Sequence, residues 1–402
     1  MENDSRYDLP DSPYSVGLTK AKRITVADKE NPFLTDSGVL LPFVEVEYET
    51  YGTLNEEKSN CILICHALSG DAHVAGWDSC WEEENRPWRE NRPGWWDNIV
   101  GPGKGIDTDR YFVICSNVLG GCYGTTGPAS VNPETGKPYG LTFPVVTVSD
   151  WVRVQKRLLE ILGFSRIYAV VGGSLGGQQA LEWALAYPRF MEKVVVLASA
   201  DKLSAQGLAF NTVGRHSIMS DPHFCNGDYY GSEKPDKGLA MARMLANITY
   251  LSEESFHDKF GREFQYTENP AYNFQIEYKV ESYLNHQGLS FVHRFDANSY
   301  LYITKAMDYY DAAAKWGSGE LKEALSRIAA DLLLVSFKTD WLYTPEQSLE
   351  IAKVLACLGK PVNYVLVDSR KGHDGFLLET DAVSHILRSF LKEETCDELA
   401  ER

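Results

Sequence analysis

Positive charge is scarce in this sequence, long apolar runs are missing and no two cysteines are closely paired, and each absence removes a class of protein. Against 56 Asp and Glu stand only 39 Lys and Arg, a formal net charge of −17. Such a field repels phosphate backbones and anionic bilayers, so neither nucleic acid nor a membrane is an expected partner. No apolar stretch reaches the length of a membrane span, and Met1–Pro10 (MENDSRYDLP) has neither the basic nor the apolar region of a signal peptide. A cytoplasmic protein is expected. The eight cysteines (61, 65, 80, 115, 122, 225, 357 and 396) form no CxxC pair, and Cys61, Cys65 and Cys115 lie in apolar runs. They read as buried thiols, with no metal site expected. Internal repeats and low-complexity segments are also missing, and Lys392–Arg402 (KEETCDELAER) reads as a frayed acidic end.

What is present is a 402-residue chain, 44% hydrophobic and 24% charged, enough for one large α/β domain with an insertion or for two ordinary domains. Val39–Tyr51 contains an alternating stretch suited to a half-buried antiparallel strand. Asn60–His66 (NCILICH) is a continuous apolar run suited to a central one. Short β-branched runs follow at Tyr111–Ser116, Ile167–Val171, Val194–Ala198, Leu332–Ser336 and Val362–Val367. Helical periodicity marks Val148–Leu162, Leu175–Tyr187, Pro345–Leu358 and Phe376–Leu391, the third opening on Pro at its first position. This alternation predicts a mostly parallel sheet with helices on both faces. The interval from about Leu203 to Ala312 breaks the rhythm with Tyr-, His- and Asn-rich helical pieces and reads as an inserted helical lid. The expected division is therefore a core over 1–202 and 313–402, with the lid over 203–312. Gly70–Pro144 is loop-heavy, and loops of that length in a compact domain are usually functional or interfacial.

Within this frame Gly172-Gly173-Ser174-Leu175-Gly176 leaves a buried strand and enters a helix. This is G-x-S-x-G in strand-turn-helix context, the nucleophile elbow of an α/β-hydrolase fold, in which small neighbours let the turn hold its serine in a strained conformation. Ser174 is the candidate nucleophile. A serine hydroxyl needs a base, and in this fold the partners follow in the order Ser, Asp or Glu, His. Asp340 lies just past the Leu332–Ser336 run, and His373 follows Val362–Val367 through Asp368-Ser-Arg-Lys-Gly372. Both are loop residues on the edge where the elbow opens. Among the nine histidines, only His373 follows a late buried strand; His385 is inside the last helix, and His216, His223, His257, His286 and His293 belong to the lid. Asp340 would orient the imidazole and stay ionised while His373 transfers protons. Two backbone N–H groups are needed for the developing oxyanion, one from Leu175 and one from the loop after Asn60–His66, where Leu68 is the candidate.

Beside the elbow stand HALSGDAHV (His66–Val74), GGCYGTTGP (Gly120–Pro128), ARMLANITYLS (Ala242–Ser252), RFDANSYL (Arg294–Leu301), TDWLYTPEQS (Thr339–Ser348) and GHDGFL (Gly372–Leu377). With this ordered set, over roughly residues 20 to 392, the chain resembles the homoserine O-acetyltransferases. The resemblance implies a ping-pong transfer: Ser174 takes an acyl group from acyl-CoA and passes it to the γ-hydroxyl of L-homoserine, a step of methionine biosynthesis. It implies that Arg243 binds the homoserine carboxylate, that Asp374 binds its ammonium, and that Tyr250, seven residues beyond Arg243, is an accessory contact. A guanidinium fork would capture one carboxylate locally in a chain of charge −17. Succinyl-transferring relatives tend to carry Arg two positions after the catalytic Asp. Leu342 stands there in this chain and gives a succinyl carboxylate no partner, which favours acetyl-CoA as donor. The resemblance further implies no bound cofactor and a homodimer joined through the lid. Homoserine O-succinyltransferase, serine O-acyltransferase and a plain esterase or thioesterase stay open as alternatives, since each uses the same elbow and base.

Overall fold

A computed structural model describes residues 9–392 of the chain. The first eight residues and residues 393–402, which include Cys396 and nearly all of the expected frayed end, lie outside the described residues.

One eight-stranded sheet organises the molecule. Its strands are β1 (Lys22–Ala27), β2 (Val44–Tyr51), β3 (Cys61–Cys65), β4 (Phe112–Ser116), β5 (Ile167–Gly173), β6 (Met191–Leu197), β7 (Asp331–Phe337) and β8 (Val362–Val367). They lie in the order β8-β7-β6-β5-β3-β4-β2-β1. β3 to β8 all pair in parallel, whereas β2 runs antiparallel to β4 and to the edge strand β1. β3 and β5 are buried along their whole length, which is why they read as continuous apolar runs rather than alternating ones. Alternation survives in where the side chains go. Leu63, Val170, Val194 and Leu334 enter one core with α1 (Val148–Ile161), α2 (Leu175–Ala186) and α8 (Pro345–Cys357). Ile62, Ile64, Val171, Val195 and Val335 enter the other, which α9 (Thr380–Leu391) covers with Val383, Leu387 and Leu391. Both faces are thus sealed.

The interval read as a lid carries α3 (Ala205–Met219), α4 (Asp236–Tyr250), α5 (Glu253–Phe260), α6 (Lys279–Val292) and α7 (Ala297–Tyr309). Its ends meet. Lys202 bridges Asp311, and the Ala312 N–H donates to the Asp201 carbonyl at 3.0 Å, so the segment leaves and rejoins the core at one place. Among the described residues no helix is long and apolar enough to cross a membrane.

Three details differ from the sequence reading. β1 was not foreseen: its first four residues are exposed or half-buried, so an edge strand with a Lys-Arg start shows little alternation. The Val39–Tyr51 stretch yields a strand only from Val44, because Pro42 has no N–H to give a ladder; Leu40–Leu41 pairs separately with Phe33–Leu34. The helix expected over Phe376–Leu391 is two helices, Gly375–Leu378 and α9, broken at Glu379 (φ −90, ψ 58). There the Glu379 carboxylate is drawn to Ser369 Oγ at 2.7 Å and Lys371 Nζ at 3.5 Å, tying the break to the loop before His373.

Candidate active site

Ser174 sits between β5 and α2 with φ 57 and ψ −123, a conformation L residues rarely adopt. Strain of this kind costs on the order of 1–3 kcal/mol and persists only where packing enforces it. The enforcement is steric. A Cβ on Gly172 would strike the Gly176 carbonyl oxygen, and one on Gly176 would strike the Cys65 carbonyl oxygen. Strand, turn and helix therefore close at a distance only glycine permits, and the serine hydroxyl is pushed out at the strands' C-terminal edge.

Asp340 and His373 arrive at that edge from β7 and β8. The His373 Nε2 lies 2.8 Å from Ser174 Oγ, and Nδ1 lies 2.8 Å from Asp340 Oδ2. Because a carboxylate only accepts, Nδ1 carries the proton and Nε2 accepts from the serine. The other carboxylate oxygen, Asp340 Oδ1, accepts from the Leu342 and Tyr343 N–H groups, each at 3.0 Å. All three side chains are buried, Asp340 being 3% and His373 2% exposed. Aromatic rings pack the imidazole: Tyr343 at 5.4 Å, Tyr250 at 5.9 Å and the edge of Phe376 at 5.7 Å. Burial opposes the charged ring, but the Asp340 carboxylate at Nδ1, helped by Asp374, outweighs it and holds the His373 pKa above the usual histidine value.

A narrow cavity of about 40 Å³ opens beside Ser174, floored by the elbow and Leu68 and roofed by α3, α4 and α7. Leu342 and Tyr250 line it too. Leu175 opens α2, so its N–H has no intrahelical acceptor. The N–H of Leu68, on the turn after β3, likewise meets no backbone or side-chain acceptor among the described residues. Both donors are thus unspent, one on a residue that lines the cavity with Ser174 and one on the residue directly after the serine.

Arg243 enters from α4 with its guanidinium 4.8 Å over the Phe291 ring and 5.4 Å over the Tyr250 ring. Its Nη1 reaches only Ser69 Oγ, at 3.4 Å, and no Asp or Glu forms an ion pair with it among the described residues. Asp374 follows His373 on a short turn; enclosure raises its carboxyl pKa, against the pull of the His373, Arg243 and Lys259 charges. Among the described residues neither Asp374 nor Arg243 forms an ion pair, yet the two lie within electrostatic reach of one another. Reasoning from sequence missed Arg294, Tyr123 and Tyr343, although each stands in a segment singled out above. Arg294 Nη1 donates to the Ser69 carbonyl at 2.9 Å and contacts the Tyr123 hydroxyl at 3.0 Å. Their segments were visible as motifs, but nothing in the spacing pointed to the contacts.

This arrangement has a nucleophile, a base oriented by a carboxylate, and donors for an oxyanion, the parts acyl transfer requires. The model of the alpha/beta hydrolase fold matches residues 60–380, and fold and site together define the chain as an α/β-hydrolase-fold protein. A homoserine O-acetyltransferase of Methanosphaerula palustris is 52% identical over 377 residues, 94% of this chain and 74% of that protein. A homoserine O-succinyltransferase of Magnetococcus marinus is 49% identical over 94% of this chain and 95% of that one. The crystal structure of homoserine O-acetyltransferase from Bacillus anthracis superposes with a TM-score of 0.82 at 30% identity, covering 93% of this chain and 98% of that chain. That of esterase E22 gives 0.81 at 35% identity, covering 92% and 100%. The chain belongs to the homoserine O-acetyltransferase family.

Proposed function

We propose that this chain is a homoserine O-acetyltransferase, moving acetyl from acetyl-CoA to the γ-hydroxyl of L-homoserine through an acetyl-Ser174 intermediate and releasing CoA and O-acetyl-L-homoserine. Ser174 Oγ attacks the thioester carbonyl while His373 Nε2 takes its proton. The Leu68 and Leu175 N–H groups receive the oxyanion; the C–S bond then breaks and the thiolate leaves with the proton from His373. In the second half the homoserine hydroxyl gives its proton to His373, attacks the acetyl carbonyl, and His373 returns the proton to Ser174 Oγ. Asp340 stabilises the imidazolium in both halves.

The observation that carries this reading is the Arg243 guanidinium, which forms no ion pair among the described residues and lies within electrostatic reach of Asp374, the residue next to His373. A hydrolase of simple esters has no use for two opposite charges placed to hold an amino acid. An esterase of the same fold is among the similar structures, so fold and elbow do not discriminate, and the proposed clamp is what favours the transferase. For the acyl group the support is Leu342, which lines the cavity with Ser174. A succinyl carboxylate there would lose its water and gain no partner from that side chain. The reading takes the enzyme to be cytoplasmic, in keeping with seven described cysteines that are all free. It also takes the enzyme to be a homodimer joined through the lid, in keeping with Val213, Met241 and Leu289, which stay 57%, 59% and 51% exposed on α3, α4 and α6.

The test follows thiol release from acetyl-CoA or succinyl-CoA, each with homoserine, serine or water. Fast release is expected only with acetyl-CoA and homoserine. Preference for succinyl-CoA would overturn the acyl assignment, and an undiminished rate without acceptor would favour the hydrolase.

A further inference from the structure

The turn that follows β3 supplies one of the two oxyanion donors in the reading above, yet little within the turn itself holds it. Ala67 to Gly70 form a four-residue turn closed by one bond, Gly70 N–H to Ala67 O at 3.0 Å. Leu68 and Ser69 occupy its centre. On the core side the chain is anchored just beyond, where Arg89 Nη2 grips Asp71 Oδ2 at 2.6 Å and Arg89 Nη1 grips Asp78 at 2.7 Å. On the lid side the anchor is Arg294, from the connection between α6 and α7. Its Nη1 holds the Ser69 carbonyl, with the Tyr123 hydroxyl on the same nitrogen and the guanidinium 5.1 Å over Phe291.

Arg294 forms no ion pair with a carboxylate among the described residues. Its charge is spent on a backbone carbonyl, the peptide directly after the one that follows Leu68. A charge-assisted bond to a carbonyl is stronger than a neutral one and fixes the plane of the peptide it holds. We propose that Arg294 is a positioning residue: by gripping the Ser69 carbonyl from the lid it keeps the Leu68 N–H aimed at the oxyanion, so that the oxyanion hole is complete only when the lid is docked. The inference rests on the assignment of Leu68 as a donor, and it extends to the lid a part of the machinery that the elbow and its turn would otherwise supply alone. Arg243, the other lid arginine at this turn, touches the Ser69 side chain, so acceptor site and oxyanion turn share one residue.

The experiment compares wild type, Arg294→Gln and Arg294→Lys by the acylation burst with p-nitrophenyl acetate, which needs neither acetyl-CoA nor homoserine and so tests the turn whichever natural substrates the enzyme uses. Losing an oxyanion donor outright costs about 10²- to 10³-fold in rate, so a donor left in place but misaimed is expected to cost roughly 10- to 100-fold. Arg294→Gln should slow acylation by that factor with KM unchanged. It should weaken inhibition by methylboronic acid, whose tetrahedral serine adduct places an oxygen in the same hole, by a similar factor. Arg294→Lys, which retains a charged donor, should recover part of both. Tyr123→Phe, which removes only the hydroxyl beside that nitrogen, provides a milder variant should Arg294→Gln not fold, with a several-fold effect in the same two readouts. Loss of thermal stability with acylation rate and boronate affinity unchanged would overturn the proposal. So would a defect confined to the KM for homoserine, which would make Arg294 a substrate contact.

Discussion

If Arg243 holds the acceptor carboxylate as proposed, replacing it by Ala should impair acceptor use, and its surroundings set the size of the expected effect. The guanidinium is already held flat by two rings, Phe291 at 4.8 Å and Tyr250 at 5.4 Å, and its hydrogen bond to Ser69 Oγ is a long one at 3.4 Å. Little ordering is left for a bound carboxylate to impose, and the donors are available for a two-point fork. Each charge-assisted bond is worth about 1.5–3 kcal/mol, and two, less what water recovers in the variant, come to about 3–4 kcal/mol. At 1.36 kcal/mol per decade this is roughly a 10²- to 10³-fold fall in kcat/KM for homoserine. Acyl-enzyme formation involves no acceptor, so the burst of thiol from acetyl-CoA should keep its amplitude and stay within about threefold of the wild-type rate. Arg243→Lys should recover only part, since an ammonium keeps the charge and loses the fork and the stacking. Stopped-flow detection of CoA separates the two halves. A kcat/KM for homoserine within about threefold of wild type, or a burst slowed as much as turnover, would refute the assignment.

Ser174→Ala should release no CoA in a burst, with or without homoserine; a stoichiometric burst from that variant would exclude the covalent intermediate. The base must be neutral to accept a proton, and the Asp340 carboxylate holds the His373 pKa above the ordinary value of about 6.5 despite burial. The acylation rate should therefore fall tenfold per pH unit below a midpoint above 6.5, and Asp340→Asn should move that midpoint downward; a wild-type rate flat to pH 6 would contradict this. Leu342→Arg puts a cation in the cavity beside Ser174 and should shift the kcat/KM ratio of succinyl-CoA to acetyl-CoA upward by about tenfold or more. An unchanged ratio, measured with both donors, would remove Leu342 as a determinant.

The elements readable from the sequence were those whose burial is uniform or strictly periodic. β3 and β5 declared themselves as unbroken apolar runs because both their faces are covered. β1 did not, since an exposed edge strand is under weak constraint. In the site, Ser174 was legible because close packing of strand against helix demands glycine at Gly172 and Gly176, a demand written in consecutive residues. Asp340 and His373 were legible as loop residues just past predicted strands. Tyr343 was not, because stacking on His373 leaves no mark in a tyrosine that would look the same in any core.

Local sequence alone marked the central strands and most of the helices that cover them, where the elbow lies, and which residues stand at the C-terminal edge of a parallel sheet. Those properties depend on neighbours within a turn or two and on the burial of one face. The meeting of the lid with the elbow was decided only in three dimensions. Ser174 and His373 are 199 positions apart, Arg243 and Ser69 174, and Arg294 and Ser69 225. Contacts at such separations carry no period and no spacing rule. They come from the way α4, α6 and α7 pack over the sheet edge, and that packing is what brings two lid arginines to the turn beside an elbow serviceable for any acyl transfer.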